Sequence, residues 1–269
     1  MFSVLMSVYW KDSPQYFREA LESVFDQTLM PQEVVLVKDG ALNGGLDQIV
    51  EEFVQTYPST IKVIALERNH GLGYALGVGM QSCSFEFVAR VDSDDICFPD
   101  RFETQVAILK ANPQIDILGA WIDEFEGNKE NVLSIRKVPE DNAEILAFSK
   151  YRCPFNHPSV MLRKSSVLKC GNYQPYGTFE DYLLWMKMLK QGCVGYNVQR
   201  SLVYFRTSRQ VYARRGGLKK AVAEVRLQLK FYELGAISLL VLARNIVVRG
   251  VFRIVPSTVR GFLYKYFGN

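Results

Sequence analysis

Apolar residues fall along this chain in two alternating rhythms. Short unbroken runs rich in β-formers occupy residues 2–9, 34–38, 61–66 and 85–91. Between them, apolar residues recur at three- and four-residue spacing. In residues 14–27 this puts Phe17, Ala20, Leu21, Val24 and Phe25 on one face, which predicts a helix; residues 46–57 and 73–81 read the same way. Strand and helix alternating through short connections predict an α/β fold with a mostly parallel central sheet flanked by helices, since each crossover must lay its helix back on the sheet. Ligands of such sheets bind beyond the carboxyl ends of the strands. Tyr9, Asp39, Asn69 and Asp92 each stand at or just past such an end, so four segments are expected at one crevice.

Beyond Pro99 the rhythm loosens. It predicts a helix over 101–111, a strand over 115–122, a hairpin through Glu126-Gly127-Asn128 to Ile135, and a helix near 141–149. A strand over 159–163, a helix over 181–191, strands within 194–206 and a helix over 218–234 follow. With no repeat and no flexible linker, residues 1–235 read as one compact domain and 236–269 as a basic amphipathic helical extension.

Composition adds mainly exclusions. The 269 residues are 48% hydrophobic and 22% charged, which excludes disordered and collagen-like classes. Charge is divided unevenly: residues 1–199 hold 18 basic and 26 acidic side chains, net −8, and residues 200–269 hold 14 and 2, net +12. A basic tail on an acidic body points to an anionic partner, phosphate groups or a lipid surface, and nothing calls for nucleic acid. Five cysteines without a C-x-x-C pair and two histidines exclude zinc-finger and thioredoxin readings and fit a reducing cytoplasm. The N-terminus has no basic leader and reads as a first strand, not a signal peptide. The longest apolar run, 234–243, is cut by Arg244 and falls short of the ~20 residues of a membrane span, so a soluble or peripheral protein is expected.

The most specific chemistry lies in Val91-Asp92-Ser93-Asp94-Asp95. Three carboxylates in four residues repel one another unless a cation sits among them, and hard oxygen ligands suit Mg²⁺ or Mn²⁺. A solvated turn leading into a helix at Pro99-Asp100 is the alternative; the cluster's place after a predicted parallel strand favours the cation.

The stretch Ala89-Arg90-Val91-Asp92-Ser93-Asp94-Asp95-Ile96-Cys97-Phe98-Pro99-Asp100-Arg101 resembles the signature of family 2 glycosyltransferases, which have the GT-A (Rossmann-like) fold. Ser7-Val8-Tyr9, Val35–Gly40, Arg68–Gly73, Phe155–Met161 and Phe179–Trp185 are similar to that family as well, so the likeness runs over about residues 2–235. It implies that Val8, Tyr9 and Asp39 hold the uracil of a UDP-sugar, and that Asn69 lines the nucleotide pocket, where Gly71 and Gly73 permit close backbone approach. Asp92 would hold the ribose side and Asp94 the metal. Arg90 is either a partner of the carboxylates or a nucleotide contact.

The same resemblance makes Asp181 the base that takes the acceptor's proton in an inverting single displacement, and Glu180 a ligand of the acceptor hydroxyl. Both residues also suit the first turn of a helix. His157 becomes an acceptor-side contact, and Trp185 either stacks on a sugar or fills the core. Arg214 and Arg215, beside Gly216-Gly217, suit a diphosphate or form a solvated basic surface. Two departures stand out. Where many relatives complete the metal shell with a His, this chain has Tyr204-Phe205-Arg206-Thr207-Ser208, and the Q-x-x-R-W signature of processive synthases is absent. One sugar per encounter is expected.

These readings combine into a metal-dependent transfer of a hexose or N-acetylhexosamine from a UDP-sugar to a lipid-linked saccharide acceptor of a bacterial surface polysaccharide. In the extension, Arg249 and Arg253 would share one face of a helix, opposite Val248, Val251, Phe252 and Val255. That suits an anionic membrane surface at the inner face of the inner membrane, or packing on the domain. A nucleotidyltransferase and a non-catalytic binding module are the rivals. The first would need a glycine-rich loop where Trp10-Lys11-Asp12-Ser13 stands, and the second would not need Asp181.

Overall fold

The computed structural model describes residues 1–207 and 218–254, the side chains of 218, 219 and 249–254 excepted. Strands β1 (Ser3–Val8), β2 (Glu33–Lys38), β3 (Ile61–Ala65) and β4 (Phe87–Val91) are linked by helices α1 (Pro14–Phe25), α2 (Gly44–Thr56) and α3 (Leu72–Ser82). They pair in parallel in the order β3-β2-β1-β4. β1 and β2 are covered on both faces, which is why their sequences show no polar alternation. α1 starts where the Ser13 side chain accepts from Tyr16 N and Pro14 opens the first turn; Asn43 caps α2 in the same manner.

The second half comprises β5 (Ile96–Cys97), α4 (Arg101–Ala111), β6 (Ile115–Phe125), β7 (Val132–Arg136), α5 (Asn142–Ser149), β8 (Met161–Arg163), α6 (Lys164–Lys169), α7 (Glu180–Lys190) and β9 (Val194–Arg206). The sheet continues from β4 through β8, β6 and β9 to β5, with β7 attached to β6. β8 runs antiparallel to both β4 and β6, and β6 is parallel to β9. The parallel order expected from strand-helix alternation therefore holds for the first four strands, after which the sheet is mixed. The strand expected over 159–163 starts only at Met161, because Pro158 lies in a 3₁₀ turn, His157–Ser159. There Ser159 Oγ donates to Asn156 O and Ala120 O at 2.8 and 3.0 Å.

Helices α1, α2 and α4 cover one face of the sheet, and α3 and α7 cover the other. A third apolar cluster joins α7 to the C-terminal pair α8 (Leu218–Glu233) and α9 (Leu239–Ile254). Tyr182 and Met186 meet Phe231, Ile237 and Leu242 there, and Asn245 Nδ2 donates to Lys150 O and Gln228 Oε1 at 2.8 Å each. The described part of the extension thus packs on the body. α9 turns Leu239, Leu240 and Val247 outward, at 61%, 83% and 63% exposure. The side chains of Arg249 and Arg253, and all of residues 255–269, lie outside the described residues. Among the described residues no helix is long and apolar enough to cross a membrane.

Candidate active site

Parallel register brings the ends of β1, β2 and β4 to one edge, with Val8 opposite Lys38 and Met6 opposite Val91. Tyr9, Asp39 and Asp92 follow directly. Asp92, Asp94 and Asp95 each offer a carboxylate oxygen within 4.8 Å of the others. Asp95 is buried; its Oδ1 accepts from Arg206 N at 2.8 Å, and its Oδ2 has no partner. Burial, with the charges of Asp94 and Asp92, holds Asp95 well above the usual carboxylate range. Asp94 reaches solvent but is hemmed in by the cleft walls. That burial, with the charges of Asp92 and Asp12, raises it to about 7. Carboxylates that oppose one another's ionisation, with one buried oxygen orphaned, are a donor set that fits a divalent cation.

Arg90 proves to be the partner of this cluster: its guanidinium forms a two-pronged pair with Asp92. It is 2% exposed and its Nε has no partner. Arg101, the arginine that ends the quoted signature, is also buried, and its Nη2 donates to Arg90 O at 2.8 Å. It therefore fixes the end of β4 and takes no place in the cleft.

Three residues here escaped sequence reasoning. Asp12 accepts from Tyr9 N at 3.1 Å and from Ser93 Oγ at 2.8 Å, tying the β1 loop to the acidic ledge. Arg206 Nε donates to Asp94 O at 2.9 Å, and its guanidinium lies 4.0 Å from the Tyr16 ring. Tyr173 is described below. Of the three, only Arg206 carried a signal, its place where relatives have a His.

On the nucleotide side Val8 is buried and Tyr9 is 38% exposed. Asp39 is tied into the loop that follows β3. It is 2% exposed, and its carboxylate accepts from Asn69 Nδ2, His70 N and Gly71 N at 2.9, 2.7 and 2.9 Å. Asp39 and Asn69 thus hold the loop before α3. Gly71 turns that loop at φ +88°. A Cβ on Gly73 would meet Gln174 O at 2.6 Å and Glu180 Cβ at 3.0 Å, so the close approach it permits is to the protein's own chain.

Beside the ledge opens a cavity of about 940 Å³ lined by Arg90, Asp92, His157, Glu180 and Asp181 among others. Glu180 and Asp181 open α7. Burial pushes Glu180 up to about 7, and its Oε2 has no partner. Burial also raises Asp181, against a lowering bond from the backbone N–H of Tyr182 and the charge of Arg90. His157 Nε2 lies 3.1 Å from Tyr173 Oη. Burial and Arg90 push this imidazole well below its ordinary value, which leaves it neutral.

Trp185 corrects an expectation. It is 0% exposed and packs edge-on against Phe155, His157 and Tyr173. One turn after Asp181 on α7 it faces the core, so it offers no surface to a sugar. Arg214 and Arg215 lie outside the described residues.

Known proteins similar to this chain include bacterial glycosyltransferases and solved structures of the same fold. A UDP-Gal:alpha-D-GlcNAc-diphosphoundecaprenol beta-1,3-galactosyltransferase of Escherichia coli is 40% identical over 264 residues, 98% of this chain and 95% of that one. The amylovoran biosynthesis glycosyltransferase AmsE of Erwinia amylovora is 35% identical over 98% of each chain. Among solved structures, residues 1–349 of S. aureus TarS in complex with UDP-GlcNAc superpose with a TM-score of 0.65 at 21% identity, over 94% of this chain and 72% of that one. The mannosyltransferase PcManGT of Pyrobaculum calidifontis, with GDP-Man and Mn²⁺, gives 0.66 at 15%, over 99% and 81%. These two share the fold, GT-A. The model of glycosyl transferase family 2 matches residues 3–171, from β1 past the acidic ledge to the end of α6, and with relatives this similar over nearly their whole length, the chain belongs to glycosyl transferase family 2.

Proposed function

We propose that the protein moves one hexose or N-acetylhexosamine from a UDP-sugar to a lipid-diphosphate-linked saccharide with inversion, in the synthesis of a bacterial surface polysaccharide. The observation that carries this reading is the joining of two acidic groups at one cleft. The ledge of Asp92, Asp94 and Asp95 suits a nucleotide diphosphate with its cation, and Glu180-Asp181 lies beyond Arg90 on the wall of the adjoining cavity. The names of the E. coli relative and of the TarS complex support a UDP-sugar donor and a lipid-diphosphate acceptor.

In this mechanism Asp94, with Asp92 and Asp95, would hold Mn²⁺ or Mg²⁺, which when bound neutralises the diphosphate leaving group. Tyr9 lies against the base, and the loop held by Asp39 and Asn69 lines the nucleotide. Glu180 accepts from, or donates to, an acceptor hydroxyl. Asp181 takes the proton of the attacking hydroxyl as its oxygen bonds to the anomeric carbon and the bond to the diphosphate breaks. An α-linked donor then yields a β-linkage, and only one base is needed. Burial that raises Asp181 brings a carboxylate closer to the working pH, where a base transfers protons best. His157, neutral beside Tyr173, contributes hydrogen bonds and no charge.

The outward apolar face of α9 and the basic C-terminal sequence support a place on an anionic membrane leaflet. A panel of UDP-sugars assayed for Mn²⁺-dependent release of UDP tests the donor reading: slow hydrolysis of one of them is expected, and no release from any, with or without the relative's acceptor, would reject it.

A further inference from the structure

The cavity beside the acidic ledge carries charges of both signs. Besides Arg90, Asp92, Glu180 and Asp181, the charges on its wall are all positive: Arg136, Lys137 and Arg152. Much of the rest of the wall is apolar, with Ile135, Phe148 and Phe205. We infer that Arg136, Lys137 and Arg152 are a subsite for the diphosphate of the acceptor, distinct from the ledge that serves the donor; this rests on the transferase reading above.

Two of the cations are held in place by rings. The Arg136 guanidinium lies 5.1 Å from the Phe205 ring centre and pairs with Glu124, and Lys137 Nζ lies 4.6 Å from the Trp121 ring. The backbone beneath them is fixed as well: Asn156 Nδ2 donates to Arg136 O at 3.1 Å, and Trp121 Nε1 to Val138 O at 3.2 Å. Side chains already confined lose less entropy when they grip an anion. The third cation, Arg152, adjoins Cys153, whose Sγ lies 3.9 Å from Asp181 Oδ2.

That proximity matters for the chemistry. In an acceptor made of one sugar on a diphosphate, the anion sits one pyranose ring from the attacked hydroxyl. With that hydroxyl at Asp181, its diphosphate must fall within the same cavity. The donor's own diphosphate belongs at Asp94, which does not line this cavity. Diphosphate chemistry could also come from departing UDP, so the test separates the two sources.

The measurement is direct binding, without donor, of an α-linked N-acetylhexosamine carrying a diphosphate and a short alkyl chain, by calorimetry, beside the same glycoside without phosphate and beside UDP with Mn²⁺. The wild type should bind the diphosphate compound more tightly than the phosphate-free glycoside. In Lys137→Ala and Arg152→Ala that preference should fall about tenfold or more each, as expected for the loss of a charge-assisted bond to an anion. In the Lys137→Glu/Arg152→Glu variant it should vanish with the melting temperature unchanged. Equal binding of the two glycosides by the wild type, or an unaltered preference in the variants, would overturn the assignment. Loss of UDP affinity instead would give the basic wall to the departing nucleotide and overturn it equally. Failure of the transferase reading shows separately, as absence of UDP release from every donor tried.

Discussion

The two acidic groups of the cleft are built on opposite principles. Asp92, Asp94 and Asp95 crowd like charges together and leave Asp95 Oδ2 orphaned, and what the protein supplies against them is Arg90 and Arg206. Glu180 and Asp181 sit in the first turn of α7, where helix N–H groups face them, and burial does most of the shifting. The ledge is thus short of positive charge, while the α7 pair is governed by its protons. Arg90 links the two: paired with Asp92, it also lowers Glu180, Asp181 and His157 from its buried position. A group of the first kind should respond to metal, and one of the second kind to pH.

The largest expected effect falls on the second group. Asp181→Asn keeps the shape and removes the base, so kcat should drop by about 10²–10⁴-fold while UDP and Mn²⁺ still bind, as read by calorimetry. The rising acid limb of the wild-type pH profile should vanish in the residual activity. Full transfer by this variant would dismiss Asp181 as base.

On the ledge, Asp94→Ala should cost about a hundred- to thousandfold in transfer, the size of several kcal/mol of charge stabilisation. Activity left in the variant should no longer rise with added Mn²⁺, and chelation of the wild type should reproduce the loss. If Asp94→Ala instead shifted the pH profile and left the metal response intact, the contrast between the two groups would be reversed.

Much of the first group was legible in the chain and less of its surroundings. β1, β2 and β4 announced themselves as unbroken apolar runs because helices bury both their faces. The aspartates past β4 then fell at the edge where ligands bind. β5 has two residues and exists only because Ile96 and Cys97 pair with Tyr204 and Val203, a partnership no local pattern encodes. α6 is six residues long and carries too few turns for a periodicity. Arg206 meets Asp94 across 112 positions, and Tyr173 meets His157 across 16. The grip of Asp39 on the 69–71 loop was hidden for a related reason, since it spans some thirty positions.

Trp185 tests whether the α7 pair depends on a buried base. Trp185→Ala should lower stability by about 3–5 kcal/mol, the range for emptying an aromatic site in a core. Trp185→Phe, which keeps most of the packing, should melt lower than the wild type but leave KM for the acceptor unchanged. A rise in that KM without a fall in melting temperature would return Trp185 to the sugar.

The smallest effect is in the pH dependence of stability, where the neighbours His157 and Glu180 pull in opposite directions. His157 is depressed in the fold, so an unfolded chain takes up a proton the native state refuses. Its contribution is complete above about pH 6.5 and is lost as the pH falls below that value. Glu180, raised to about 7, does the reverse: its contribution is complete below the ordinary glutamate range and is lost as the pH climbs through about 7. Between those limits the two slopes oppose each other, each by at most about 1.4 kcal/mol per pH unit. In His157→Gln, which can keep a hydrogen bond to Tyr173, the acid-side slope disappears. Melting temperature in the variant should therefore rise, relative to wild type, as the pH is taken from 7 to 5. In Glu180→Gln the opposing slope disappears, and the wild-type advantage at low pH should go with it. Parallel melting curves for the wild type and His157→Gln over that range would mean that the imidazole takes up its proton as readily in the fold as in the unfolded chain, so that neither burial nor Arg90 depresses it.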